Sequence, residues 1–272
     1  MSVALSGYLT RYIPAGLPYA ESQSSEKKVT CGVACAGVFS SIPAPAAIEL
    51  IGEAGFDFVI IDCEHVLINP ETIENMIRTA ESYALTPLVR VPELNAKTLL
   101  RLLDGGAQGI VLPMVERPAE LAAAVAACKY HPEGQRSLNA GRPGSFGRES
   151  LVDYVVAANR QIMVVAMIES VEGVRRVAEI AAVPGLDMIL EGAADLSQSL
   201  GVPWKTDHAE VREALEQAWL AARNAGIPWC AIPRNQEELA HWQARGLILL
   251  FLAMSGDRFS CTEGQTGRNH FI

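Results

Sequence analysis

The chain has no CxxC pair. Its six cysteines stand scattered at positions 31, 35, 63, 128, 230 and 261, most of them among apolar neighbours. That excludes a disulfide framework or a four-ligand zinc site and reads as reduced thiols of a cytoplasmic protein. No uninterrupted apolar stretch is long enough to span a bilayer. The N-terminus lacks the charged-then-apolar order of a secretory signal. Basic charge is scarce: 22 Lys and Arg stand against 31 Asp and Glu, a net charge of -9. With no basic stripe either, the chain does not read as a nucleic-acid or membrane binder. A solenoid-type repeat is also missing. What remains is half apolar and 19% charged over 272 residues. That is enough for a full-sized core in one large α/β domain or two small ones.

The most informative stretch is FDFVIIDCEH, from Phe56 to His65. An apolar, Val- and Ile-rich run breaks at once into Asp62, Cys63, Glu64 and His65. Such a run reads as a strand buried on both faces, as in parallel sheets. In α/β folds the chemistry sits just past the carboxyl ends of the strands. Asp62 and His65 have a plain alternative, a helix cap and a packed loop residue.

The pattern recurs. Strands are expected over residues 31–40, 56–62, 87–91, 109–112, 162–168, 186–190, 229–232 and 247–253. Helices alternate with them over 43–54, 70–83, 97–104, 118–130, 149–159, 171–182, 208–224 and 236–245. Asn69-Pro70-Glu71 is a helix start in which cap, first-turn proline and acid agree. Asp207 is a further expected cap, and Gly246 an expected helix stop. Eight such alternations predict a single (β/α)8 TIM barrel over residues 31–258. Residues 1–30 form an arm outside it and residues 259–272 a polar tail.

The strand ends carry Ser40 and Ser41, the Asp62–His65 cluster, Arg90, Pro113, Glu169, Asp195, Arg234, and Gly256 with Asp257. Glu169 and Asp195 would face one barrel mouth. Two carboxylates plus waters suit a hard divalent cation, Mg2+ or Mn2+. The alternatives are a cap for Asp195 and an ion pair for Glu169. Arg90 emerges from an apolar strand and needs an anionic partner, either a substrate carboxylate or one of the acids. Gly192, Ala193 and Ala194 open a helix whose free N–H groups would hold a carboxylate. Residues 131–147 form the longest irregular stretch. Its Arg136, Asn139 and Arg142 among glycines suggest an anion-facing loop, with a solvated linker as the alternative.

The strings IDCEH, LVRV, LLDGGAQGIVLPMV, AMIES and GAADLSQSLG, in that order over roughly residues 36–258, resemble the HpcH/HpaI family of class II aldolases. The resemblance implies a (β/α)8 barrel that binds a divalent metal and pyruvate or a related α-keto acid. It implies enolate chemistry that makes or breaks a C–C bond. Carried onto this sequence, Glu169 and Asp195 would be the metal ligands. His65 would be the base, or orient a metal-bound water, with Asp62 holding its other ring nitrogen. Arg90 would stabilise the enolate, and Gly192–Asp195 would bind the substrate carboxylate. Asp104 matches a family acid near a subunit boundary, and a homo-oligomer is expected. Cys63 stands where small residues are common, and a packing role is favoured over a nucleophile. KYHPEGQRSLNAGRPGSFG and GVPWKTDH resemble the branch that makes citrate for staphyloferrin B-type siderophores from oxaloacetate and acetyl-CoA. On that reading Arg136 and Arg142 would meet a dicarboxylate or a CoA phosphate. The competing expectations are a pyruvate-dependent aldolase cleaving 4-hydroxy-2-oxo acids, and a non-catalytic barrel that binds a small acid.

Overall fold

The computed structural model describes residues 35–148, 150–245 and 249–252. Every strand pairing is parallel. The strands are β1 (Cys35–Ser40), β2 (Phe58–Asp62), β3 (Thr86–Arg90), β4 (Gly109–Leu112), β5 (Met163–Ile168), β6 (Met188–Glu191) and β7 (Trp229–Ala231). They pair in sequence order into a strongly curled sheet. β8 (Leu249–Leu252) pairs with both β7 and β1, so the strand order returns to its start. The expected parallel α/β architecture is therefore present. The expected arm, tail and Gly246 lie outside the described residues, as do Gly256 and Asp257.

Helices fill the connections. α1 is Pro45–Glu53, α2 Pro70–Ser82, α3 Ala96–Asp104, α4 Pro118–Cys128 and α5 Leu151–Gln161. α6 is Val171–Arg175, α7 Val177–Ala181, α8 Ala193–Ser199, α9 Ala209–Ala225 and α10 Gln236–Ala244. Asn69 caps α2 by accepting the Thr72 N–H at 2.9 Å, and Asn95 and Asn235 act likewise for α3 and α10. Two local expectations fail. The helix expected over 171–182 is two, because Arg176 (φ -106, ψ 9) leaves the helical region between them. His208, not Asp207, precedes α9, and it makes no side-chain cap.

The period-2 alternation of strands sorts the core into two layers. Val59, Ile61, Val89, Val164, Ala166 and Ile168 face the helices. Phe58, Ile60, Leu88, Val165, Met167 and Leu190 fill the interior of the sheet. Each large apolar side chain so buried contributes about 1.5–3 kcal/mol. Gly37 belongs to the interior layer. A Cβ there would meet the Phe58 ring at 2.2 Å, so the aromatic ring occupies the space that a side chain would need.

Candidate active site

The interior phase also builds the site. Along β2 the inward positions run Phe58, Ile60, Asp62; along β3 they run Leu88, Arg90; and along β5 they run Met163, Val165, Met167, then Glu169 just past the strand. Past the half-buried Thr86 that opens β3, each inward file is apolar until its last member, which is ionisable. Three charges thus converge on the carboxyl end of the sheet over a floor that excludes water.

Asp62 and Arg90 are register partners on neighbouring strands. Arg90 Nε donates to Asp62 Oδ1 at 3.0 Å, and its NH2 group to Oδ2 at 2.8 Å. Its NH1 group lies 3.0 Å from Glu64 Oε2, and Phe39 stacks under the guanidinium at 4.6 Å. Among the described residues Asp62 thus takes two of the five N–H donors of Arg90, and Glu64 balances its charge from the NH1 side. Burial works to raise the Asp62 pKa. Arg90, through hydrogen bonds and charge, outweighs it with help from the Glu64 and His65 N–H groups and holds the carboxyl below its usual range.

The expectation that Asp62 grips a ring nitrogen of His65 is corrected here. Asp62 receives the His65 backbone N–H at 3.3 Å, while the ring is 62% exposed with Nε2 3.8 Å from Glu64 Oε2. Register places Arg90, rather than the imidazole, opposite Asp62.

Glu169 is buried at 2% exposure. Its Oε1 accepts the Met114 N–H at 2.6 Å. Burial pushes its pKa up to about 7; the Met114 hydrogen bond opposes this, and the charges of Glu64 and Asp195 add to it. Asp195 stands exposed in the first turn of α8. It does not cap that helix, and it raises the pKa values of both Glu64 and Glu169. Between them, Gly192 passes so close that a Cβ would lie 2.5 Å from Glu169 Oε2. Ala193 and Ala194 open α8, a seven-residue helix.

This donor set suits a hard cation. Asp62, Glu64, Glu169 and Asp195 outnumber Arg90, and all offer carboxylate oxygens. Among the described residues no group of three or more His, Cys, Asp or Glu is placed to hold a metal ion together. A cation here would rest on Glu169 and Asp195 and keep open positions. Cys63 faces the helix layer, and burial, followed by the Asp62 charge, raises its thiol to about 11, which disfavours the thiolate.

The loop arginines are not at this mouth. Arg136 binds Asp104 at 2.8 Å, with its side chain wholly buried against the Tyr130 ring. Arg142 binds Glu81 and the Gly105 carbonyl. Asp104 and Glu81 lie at the carboxyl ends of α3 and α2, which lead into the starts of β4 and β3. In a parallel βα unit that is the opposite end of the sheet. Within the chain, then, Arg136 and Arg142 hold the loop to helix ends, at the far side of the sheet from the mouth at which they were expected.

Three groups escaped the sequence reading. Met114 reaches Glu169 through its backbone, from a left-handed conformation (φ 50) that no residue type advertises. Glu191, the last residue of β6, is 1% exposed with Oε1 3.1 Å from Arg234 NH1, and burial lifts its pKa to about 7. Lys129, 3% exposed, donates to the Asn159 and Ile162 carbonyls.

Residues 36–250 match the family model HpcH/HpaI aldolase/citrate lyase. The chain belongs to that family. A hydroxypyruvate/pyruvate aldolase from Delftia acidovorans is 33% identical over 216 residues, 77% of this chain and 79% of that protein. A 5-keto-4-deoxy-D-glucarate aldolase from Salmonella paratyphi A is 34% identical over 72% of this chain and 76% of its own length. The solved citrate synthase SbnG is 42% identical with a TM-score of 0.78, over 85% of this chain and 90% of that one. The chain is accordingly an enzyme of the lyase and aldolase class. Among the described residues no helix is long and apolar enough to cross a membrane.

Proposed function

We propose that the protein is a C–C bond-forming lyase or synthase acting on a small α-keto acid, on a complete (β/α)8 barrel that β8 closes. The convergence of Arg90, Asp62, Glu64 and Glu169 on one buried mouth carries this reading. Glu169 and Asp195 would hold Mg2+ or Mn2+, which when bound supplies a Lewis acid for the keto acid's oxygens. Arg90, locked by Asp62, directs an N–H that Asp62 does not take at the keto oxygen and stabilises the negative charge that develops there. The Ala193 and Ala194 N–H groups receive the substrate carboxylate; the Gly192 N–H, expected to join them, is instead given to the Ile168 carbonyl at 3.1 Å. His65, exposed above Glu64, moves the proton.

Of the two chemistries, citrate formation is the one we favour. A base removes a methyl proton from acetyl-CoA, the new carbanion attacks the ketone of oxaloacetate, and water releases CoA and citrate. The similarity to SbnG, higher than to the aldolases, supports it. One observation favours pyruvate aldolase chemistry instead: Arg136 and Arg142, the arginines of the loop over residues 131–147 expected to meet a dicarboxylate, are tied to Asp104 and Glu81. The deciding experiment incubates the protein with oxaloacetate and acetyl-CoA, with and without chelator. Free CoA and citrate are expected, with loss under chelation. Silence there, with turnover of pyruvate and an aldehyde, decides for the aldolase; silence in both overturns the lyase reading.

A further inference from the structure

The barrel mouth opens sideways into a cleft of about 600 Å3 between the loop after β3 and the loop and first turns after β4. Glu64 lines it, the same side chain whose Oε2 meets Arg90. The cleft is therefore continuous with the site. Met114 forms part of its wall, held there by its own strained backbone and its N–H bond to Glu169. A left-handed non-glycine residue costs on the order of 1–3 kcal/mol and persists only where surrounding contacts fix it. Leu94 and Met114, both large and apolar, remain 44% and 47% exposed at this cleft. Pockets of this size, mostly apolar with a few polar groups at one end, suit small organic ligands.

We propose that this cleft is the subsite of the second substrate and takes an uncharged carbonyl chain: an aldehyde, or the acyl end of a thioester. The proposal rests on the keto-acid chemistry above and adds the class of acceptor. Charge selects that class. The ionisable residues lining the cleft are Glu64, Glu93 and Glu120, all acids. Glu120 is paired with Arg117 at 2.5 Å and Glu64 with Arg90 at 3.0 Å, which leaves the Glu93 carboxylate facing whatever enters and no cation on the lining to receive an anion. An anionic acceptor meets like charge in a partly desolvated space, whereas a neutral chain meets Leu94 and Met114. Of a CoA ester, only the uncharged acyl–pantetheine arm belongs in the cleft, with the phosphates outside.

Ala119, an exposed residue of α4, lines the cleft away from Arg90 and Glu169. Ala119→Trp should fill it. The expected result is a rise of about tenfold or more in the KM of acetyl-CoA or of a neutral aldehyde, with keto-acid affinity in calorimetry unchanged. A KM that does not move, or a keto-acid affinity that falls in step, overturns the proposal. Ala119→Cys supplies a readout independent of turnover. A neutral maleimide should label it in the substrate-free protein, and acetyl-CoA or aldehyde, but not the keto acid alone, should slow the labelling. The unsubstituted protein is the blank. Acetyl-CoA and the aldehyde are tested separately, so the one that protects identifies the source of the carbonyl. A cysteine already blocked in the substrate-free protein marks a face covered by a second copy and also overturns the proposal. If the parent protein turns over neither substrate pair, the lyase reading has failed; protection by acetyl-CoA or aldehyde then still supports the cleft, and its absence sinks it.

Discussion

Gly192 and Glu169 are packed so tightly that a methyl group on the glycine would sit 2.3 Å from Glu169 Cβ and 2.5 Å from its Oε2. The turn after β6 therefore sets where the Glu169 carboxylate rests. Gly192→Ala must push that side chain aside. We expect a roughly 10- to 100-fold loss of divalent-metal affinity, as for other changes beside a ligand. The overpacking should also cost about 1–3 kcal/mol of stability. Calorimetric titration with Mg2+ and Mn2+ checks the first, and denaturant unfolding the second. Glu169→Gln, which keeps the shape and removes the charge, is the control; if Gly192→Ala binds metal as the parent does, the glycine has no such part.

Asp62 and Arg90 make a buried, doubly hydrogen-bonded pair. Removing one partner strands the other in a medium of low dielectric. Asp62→Ala should destabilise the fold by roughly 3–5 kcal/mol, the usual cost of an orphaned buried charge. Arg90→Lys keeps the charge but gives up the paired geometry, so it should cost less stability and about 100-fold or more in turnover. Unfolding midpoints and keto-acid turnover, measured on both variants, separate scaffold from chemistry.

Much of this site is legible because a strand has period 2. Counting inward positions along β2, β3 and β5 leads to Asp62, Arg90 and Glu169 without coordinates. The partner of Asp62 is not legible in the same way. It depends on cross-strand register, which sets Arg90 opposite Asp62, so that Asp62 meets His65 through the backbone N–H and not the ring. The loop over residues 131–147 misleads for a different reason. Its composition suits anion binding, but it leaves the carboxyl end of α4, and the ends of helices lie at the far side of the sheet from the mouth. Its arginines there satisfy the acids that close α2 and α3. Glu191 was hidden because it falls out of phase with the inward Met188 and Leu190, and Met114 because its contribution is a backbone N–H.

If Arg136 and Arg142 are struts, their removal should cost stability and spare substrate binding. Arg136→Ala leaves Asp104 without its ion pair and Tyr130 without its stacked guanidinium. We expect a loss of roughly 1–3 kcal/mol in denaturant unfolding. The KM for oxaloacetate should stay within about twofold, well under the 1.4 kcal/mol of a tenfold change. A large rise in KM with unchanged stability would return the loop to the substrate, by way of a neighbouring copy.

Glu191 ties stability to pH. Its carboxyl is held at about 7, against 4.5 for an unperturbed glutamate, because burial outweighs the Arg234 charge. Between those two values the folded chain binds more protons than the unfolded chain, so stability should fall as pH rises from about 4.5 to about 7 and then level off. Glu169, raised in the same direction, adds to this slope. Asp62, held low, contributes only in stronger acid, where its stabilisation is lost as pH falls. Each raised group adds at most about 1.4 kcal/mol per pH unit inside the window. Glu191→Gln, neutral at every pH, should flatten the profile by one such group. Urea unfolding at half-unit steps from pH 4.5 to 8 measures it; an unchanged slope would mean that Glu191 stays ionised beside Arg234 throughout.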